Sequence, residues 1–133
     1  MKLLALKLLL DTRVLLWWLA DSRRLGMGPR KLIQRSPLVV VSAASAWEIS
    51  IKKTLGKLSA PDDLAGQLEA SRFQELPITV RHARAAGALP RHHDDPFDRM
   101  LVAQAQAEGL ALLTHDESLR IYGEAVVTCS SIG

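Results

Sequence analysis

The chain has 133 residues, 48% of them apolar and 23% charged, with a formal net charge of +3 and a single cysteine. That length suits one domain with a real core, and the balance excludes disordered, repetitive and low-complexity classes. Cys129 has no partner for an internal disulfide, and so small a positive charge does not by itself mark a nucleic-acid binder.

The opening MKLLALKLLL carries the basic and apolar parts of a signal peptide, but Lys7 splits the run and no small-residue cleavage site precedes Asp11 and Arg13. It reads as a short leader, MKLLA, running into a buried strand at Leu6 to Leu10. The apolar stretch onward to Leu19 is interrupted by Lys7, Asp11 and Arg13, which is too broken for a membrane span, so a cytoplasmic protein is expected. A tryptophan-rich first helix follows. Arg23, Arg24, Arg30, Lys31 and Arg35 then cluster, as either a solvated helical face or a phosphate-contacting surface.

A helix is expected at about Pro29 to Gln34, then a second continuous apolar run at Leu38 to Val41. Such runs are the pattern of strands covered on both faces of a parallel sheet. Ala44, Trp47, Ile51 and Leu55 make a helical apolar stripe. Further helices are expected at Pro61 to Ala70 and at Val80 to Leu89, the latter capped by Thr79. Between them Glu75 to Ile78 reads as an edge strand, because Pro77 is not tolerated centrally. Phe97, Met100, Leu101 and Ala105 stripe a helix that stops at Gly109, and Ala111 to Thr114 and Ala125 to Thr128 complete four or five strands. Strands alternating with helices give an α/β domain over residues 1–133, with a central parallel sheet flanked by helices.

Three carboxylates fall at one predicted edge of that sheet, and a fourth, Asp98, joins them if the crossover before its helix brings the helix start round to the same rim. Asp11 follows LLL and Asp116 follows ALLTH, so both emerge at strand carboxyl ends, where sites form in open α/β sheets. Glu48 and Asp98 lie in first turns of helices. Gathered there, four like charges would repel, and a divalent cation would compensate them. Oxygen ligands without a thiolate favour Mg²⁺ or Mn²⁺ over Zn²⁺, and two such ions about 3.5 to 4 Å apart can clamp both oxygens of a phosphodiester displacement.

Each acid also has a structural reading. Ser45 with Glu48 fits a capping box, Asp95 with Pro96 an N-cap and first-turn pair, and Thr114 with Glu117 another cap. Asp11 is a turn former in that view, although its apolar surroundings make an unpaired charge there expensive. His92, His93 and His115 invite a zinc reading, but His92 and His93 are poorly spaced for a zinc pair, since adjacent loop residues seldom point at one ion. Trp17, Trp18 and Trp47 read as core or dimer surface before base-stacking platforms. Phosphate-loop, dinucleotide and nucleophile-elbow motifs are absent from the sequence.

LLLDT, SAASAWEISIKKTLGKL, LPRHHDDPFDRMLVAQAQAEGL and LLTHD, in that order and spacing, resemble the segments of PIN-domain toxins of the VapC family. The likeness runs from about Lys7 to Tyr122. It implies a PIN-like parallel sheet and a Mg²⁺- or Mn²⁺-dependent endoribonuclease, usually dimeric and held inactive by a cognate VapB-like antitoxin. Carried over by position, the resemblance assigns the acidic site to Asp11, Glu48, Asp98 and Asp116, the four acids already singled out. Asp11 and Asp98 are the expected closest ligands. Thr12 and Thr114 match small hydroxyl residues that orient such carboxylates. The implied products carry 5′ phosphate and 3′ hydroxyl ends. Arg13 stands where relatives often have histidine.

Three other functions compete. A non-catalytic acidic-pocket binding protein would have no need of all four acids. A receiver-type phosphoacceptor would show an acidic pair after its first strand, where Asp11 stands alone. A DNA-directed nuclease of the same fold differs only in substrate.

Overall fold

The computed structural model describes residues 6–133; the MKLLA leader lies outside the described residues. Five parallel strands form the sheet: β1 (Lys7–Leu10), β2 (Leu38–Ser42), β3 (Gln74–Leu76), β4 (Ala111–Thr114) and β5 (Val126–Thr128). Their spatial order is β3-β2-β1-β4-β5. Successive connections leave β1 toward one edge and return to the other side of it, so β1 marks the point where the winding reverses. Crevices at such reversals, outside the strand carboxyl ends, are the habitual ligand sites of open parallel sheets.

Alternation of side chains divides the core into two layers, one on each face of the sheet. Leu8, Leu10, Val39, Val41 and Leu113 pack on one face with α1 (Thr12–Leu19), α2 (Met27–Arg35) and α4 (Leu64–Ala70). Leu9, Val40 and Leu112 pack on the other with α5 (Val80–Ala88) and α6 (Pro96–Glu108). Leu8, Leu9 and Leu10 are all fully buried, which is why β1 is a continuous apolar run. α3 (Ala43–Thr54) follows β2 directly.

The element boundaries respond to local chemistry. β3 ends at Leu76, one residue before Pro77, which has no amide to give a ladder. The helix expected from Pro61 begins only at Leu64, because Asp63 caps it by accepting from the Gly66 amide at 3.0 Å. Thr79 caps α5 as expected, and His82 completes a capping box there through its ring nitrogen. Gly109 closes α6 at φ 68°, a left-handed conformation that glycine adopts at little cost.

The apolar stripe of α3 is corrected by the structure. Trp47, Ile51 and Leu55 face outward, Trp47 being 63% exposed, while Ala44, Ser45, Glu48 and Ile49 face inward. The inward polar groups are tolerated because each has partners at the sheet rim. Trp17 and Trp18 are half-buried, and Trp18 packs on Phe73 and donates to Ser71 Oγ at 3.2 Å. The basic cluster is split between a 3₁₀ turn, Arg23–Leu25, and α2, with Arg30 paired to Asp21 at 2.9 Å. Among the described residues no helix is long and apolar enough to cross a membrane.

Candidate active site at the carboxyl rim of the sheet

β1 and β4 are neighbours in parallel register, so the residues that follow them emerge side by side: the Asp11 amide donates to the Leu113 carbonyl at 3.0 Å. Asp11 is 4% exposed. Its Oδ1 accepts from the Val14 amide at 2.7 Å and caps α1, as the turn-forming reading expects. Its Oδ2 accepts from the Thr114 hydroxyl and, at 3.3 Å, from the His115 amide, with the His115 ring nitrogen Nδ1 also 3.3 Å away. A buried carboxyl group held by this many donors is fixed in orientation. The hydrogen bond to Asp11 raises the His115 imidazole above its ordinary value, although burial opposes the shift.

Glu48 reaches the same rim from α3 and is 6% exposed. Its Oε1 accepts from the Thr12 hydroxyl at 2.6 Å, and its Oε2 accepts from Lys52 Nζ at 2.7 Å, one turn further along the helix. The Thr12 hydroxyl has one proton, and the carboxylate takes it. Ser45 Oγ, 3.0 Å from Thr12 Oγ1, is thereby placed to donate back. The Ser45–Glu48 capping box does not form, because α3 starts earlier: Ser42 is the N-cap, accepting from the Ala44 amide at 2.9 Å.

Asp98 sits at the third position of α6, where Asp95 caps the helix by accepting from the Phe97 and Asp98 amides at 2.8 and 3.2 Å. The anticipated Asp95–Pro96 cap therefore forms, with Asp98 in the same first turn. Burial pushes the Asp98 carboxyl up to about 6; its contact with His93 opposes this, while the nearby Asp95 and Asp11 charges add to it. Asp116 lies beyond β4 and caps the 3₁₀ turn Glu117–Tyr122, accepting from the Ser118 amide at 2.9 Å and its hydroxyl at 2.6 Å. Desolvation works to raise the Asp116 carboxyl, but the Ser118 hydrogen bonds and the His93 and His115 charges together hold it below the usual value. The Thr114–Glu117 cap is thus replaced by Asp116, and Thr114 Oγ1 instead accepts from the Asp116 amide at 3.0 Å while donating to Asp11.

The four acids predicted from sequence all reach this rim, but in two groups. Asp11 and Glu48 are engaged by protein donors. Asp98 and Asp116 stand with His93, whose Nε2 is 2.9 Å from Asp98 Oδ2 and 4.0 Å from Asp116 Oδ2. One ligand atom from each of these three residues lies within 4.8 Å of the others. The adjacent cleft, about 130 Å³, is lined by Asp11, Thr12, Glu48, Lys52 and Asp98 among others. Arg13 lines it too.

Of the other residues at this rim, Lys52 escaped the sequence reading, Ser45 was read only as a helix cap, and His93 and His115 were weighed only as zinc candidates. The two histidines that looked like an unpromising pair separate, His93 turning to the carboxylates while His92 packs edge-on against Tyr122. The objection to adjacent ligands holds for the pair and does not apply to His93 alone. Lys52 was signalled by its i,i+4 spacing from Glu48.

The donor set suits a hard divalent cation. Carboxylate oxygens dominate it, one imidazole joins them, and the only thiol, Cys129, is pushed up to about 12 by burial and stays neutral.

Comparison with known proteins bears on the family and the fold. A family profile described as the PIN domain matches residues 8–125. Ribonuclease VapC22 of Mycobacterium tuberculosis is 31% identical over 115 residues, covering 84% of this chain and 88% of that protein. A toxin-antitoxin complex from Klebsiella pneumoniae contains a chain of the same fold, with a TM-score of 0.68 at 21% identity, covering 92% of this chain and 98% of that one. VapBC2 from Rickettsia felis, bound to a DNA fragment from their promoter, superposes with a TM-score of 0.64 at 13% identity, covering 91% and 96%. With the profile spanning most of its length and a relative of this identity aligned across it, the chain belongs to the PIN-domain family, among its VapC-type members.

Proposed function

We propose that this protein is a metal-dependent endoribonuclease, the toxin of a type II toxin-antitoxin pair, and that Asp11, Glu48, Asp98 and Asp116 form its active site. The observation that carries the reading is the convergence of these four acids, from four separate parts of the chain, at the reversal point of the sheet.

Asp98 and Asp116 offer oxygens to a Mg²⁺ or Mn²⁺ ion, and Asp11 and Glu48 complete the negative field around them. When bound, such an ion supplies Lewis acidity to a phosphodiester oxygen and lowers the pKa of a coordinated water. Thr114 and Thr12 fix the rotamers of Asp11 and Glu48 through their hydroxyls, so the acids need not reorganise when substrate arrives. Lys52 balances the Glu48 charge and, being 40% exposed, also presents an ammonium to a phosphate in the cleft. Arg13 faces the same cleft and suits a phosphate oxygen. Hydrolysis in this arrangement leaves 5′ phosphate and 3′ hydroxyl ends.

The reading extends to a VapB-like antitoxin and a homodimer. The outward row Trp47, Ile51 and Leu55 supports burial against a partner, since an exposed indole beside two aliphatic side chains is costly in water. That exposure favours α3 over the half-buried tryptophans of α1 as the contact face.

Purified chain, incubated with structured RNAs and matched DNA in Mg²⁺, Mn²⁺ or EDTA, tests the proposal. RNA cutting that requires the ion is expected. Cutting of DNA alone would overturn the substrate, and a folded chain that binds Mn²⁺ yet cuts no RNA would instead be a binding protein with an acidic pocket.

A further inference from the structure

His93 is held at the rim by a clamp on its loop. The guanidinium of Arg99, one residue past Asp98, donates through Nη1 to the Pro90 and His93 carbonyls, each at 3.2 Å. Through Nη2 it donates to the Ala86 and Leu89 carbonyls, each at 2.9 Å, at the carboxyl end of α5. The Tyr122 hydroxyl adds a second hold on Pro90, donating to its carbonyl at 2.9 Å. A planar, always-charged fork that satisfies four backbone carbonyls fixes the path of the loop between α5 and α6.

The consequence is a defined direction for one ring. Nε2 of His93 points at Asp98 and Asp116, whereas Nδ1 has no hydrogen-bond partner among the described residues. With the proton on Nδ1, the Nε2 lone pair faces the space between the two carboxylates. The geometry points to His93 as a nitrogen ligand of the divalent ion that Asp98 and Asp116 hold, with Arg99 as the positioning residue that presents it. This assignment rests on the metal-dependent reading above and deepens it. A site with one imidazole differs from an all-oxygen site in its preference, because imidazole nitrogen suits transition metals better than Mg²⁺. Mn²⁺ should therefore gain more from His93 than Mg²⁺ does.

The test is pulsed electron paramagnetic resonance of Mn²⁺ bound to the full chain, with natural-abundance and ¹⁵N-histidine protein, beside Asp98→Asn, His93→Gln and His92→Gln variants. A directly coordinated histidine nitrogen is expected in the unaltered chain and in His92→Gln, and its signal should vanish in His93→Gln. Mn²⁺ affinity should fall at least about tenfold in His93→Gln, with a smaller change for Mg²⁺. Mn²⁺ that binds in an Asp98-dependent way without nitrogen coupling would overturn the assignment and leave the nuclease reading intact. Coupling that persists in His93→Gln would move the ligand to another histidine and overturn it as well. A chain that binds no Mn²⁺ would overturn both.

Discussion

Thr12, the first residue of α1, donates its hydroxyl to Glu48 of α3 at 2.6 Å. This bond ties the carboxyl end of the central strand to the helix that follows its neighbour. It also decides where Glu48 points.

Thr12→Val keeps the shape and removes the proton. Glu48 then loses one donor while 6% exposed, and an under-satisfied buried carboxylate oxygen costs about 1–3 kcal/mol. Thermal unfolding should register that loss, and RNA cleavage should slow by about tenfold as the carboxylate gains freedom. Unchanged stability and rate would mean that Thr12 does not set the position of Glu48.

Lys52→Met strips the counter-charge from Glu48. The pair is 2.7 Å apart, with the lysine side chain 40% exposed and the glutamate side chain 8%. Removing one partner of a fully buried pair costs 3–5 kcal/mol in other proteins, and solvent around this lysine reduces the expected loss to about 1–2 kcal/mol. Saturating Mn²⁺ should restore part of it, because the ion replaces the missing positive charge. A calorimetric comparison with and without Mn²⁺ reads both effects; a deficit untouched by the ion would place Glu48 outside its field.

The raised Asp98 carboxyl makes the site pH-sensitive. Its folded pKa, about 6, lies above the ordinary carboxyl value of 3.8. The metal-free fold therefore binds the proton more tightly than the unfolded chain, and stability from this group is lost as pH rises from about 4 through about 6. Two results follow. Asp98→Asn, neutral at every pH, should melt no lower than the unaltered chain at pH 7.5 without metal, and on the order of 1 kcal/mol more stable. Mn²⁺ affinity in the unaltered chain should rise between pH 5 and pH 7, since the ion competes with a proton for Asp98. Isothermal titration at three pH values checks this, and a flat profile would contradict it.

How much of this could be read in advance depended on which physical signal each feature leaves. β1, β2 and β4 are buried on both faces, so they stand out as unbroken apolar runs, and the acids that follow them fall at the rim wherever the strands end. Asp11 and Asp116 were legible for that reason. The outward face of α3 was not, because a 3.6-residue stripe has the same period whether it faces core or solvent. Glu48 reverses the usual orientation: it must reach the rim, and Thr12, Ser45 and Lys52 let it do so. His93 was hidden in another way, since its direction is set by Arg99 and Tyr122 acting on the backbone of a loop. Contacts of that kind leave no periodicity.

The most direct measurement is the rate of RNA cleavage by Asp98→Asn against the unaltered chain across a Mn²⁺ titration at pH 7.5, with melting curves recorded in parallel. The expected result is at least about a hundredfold loss of rate in a variant that melts no lower than the unaltered chain. A well-folded Asp98→Asn that cuts RNA at the unaltered rate would contradict the assignment of the reaction to this rim.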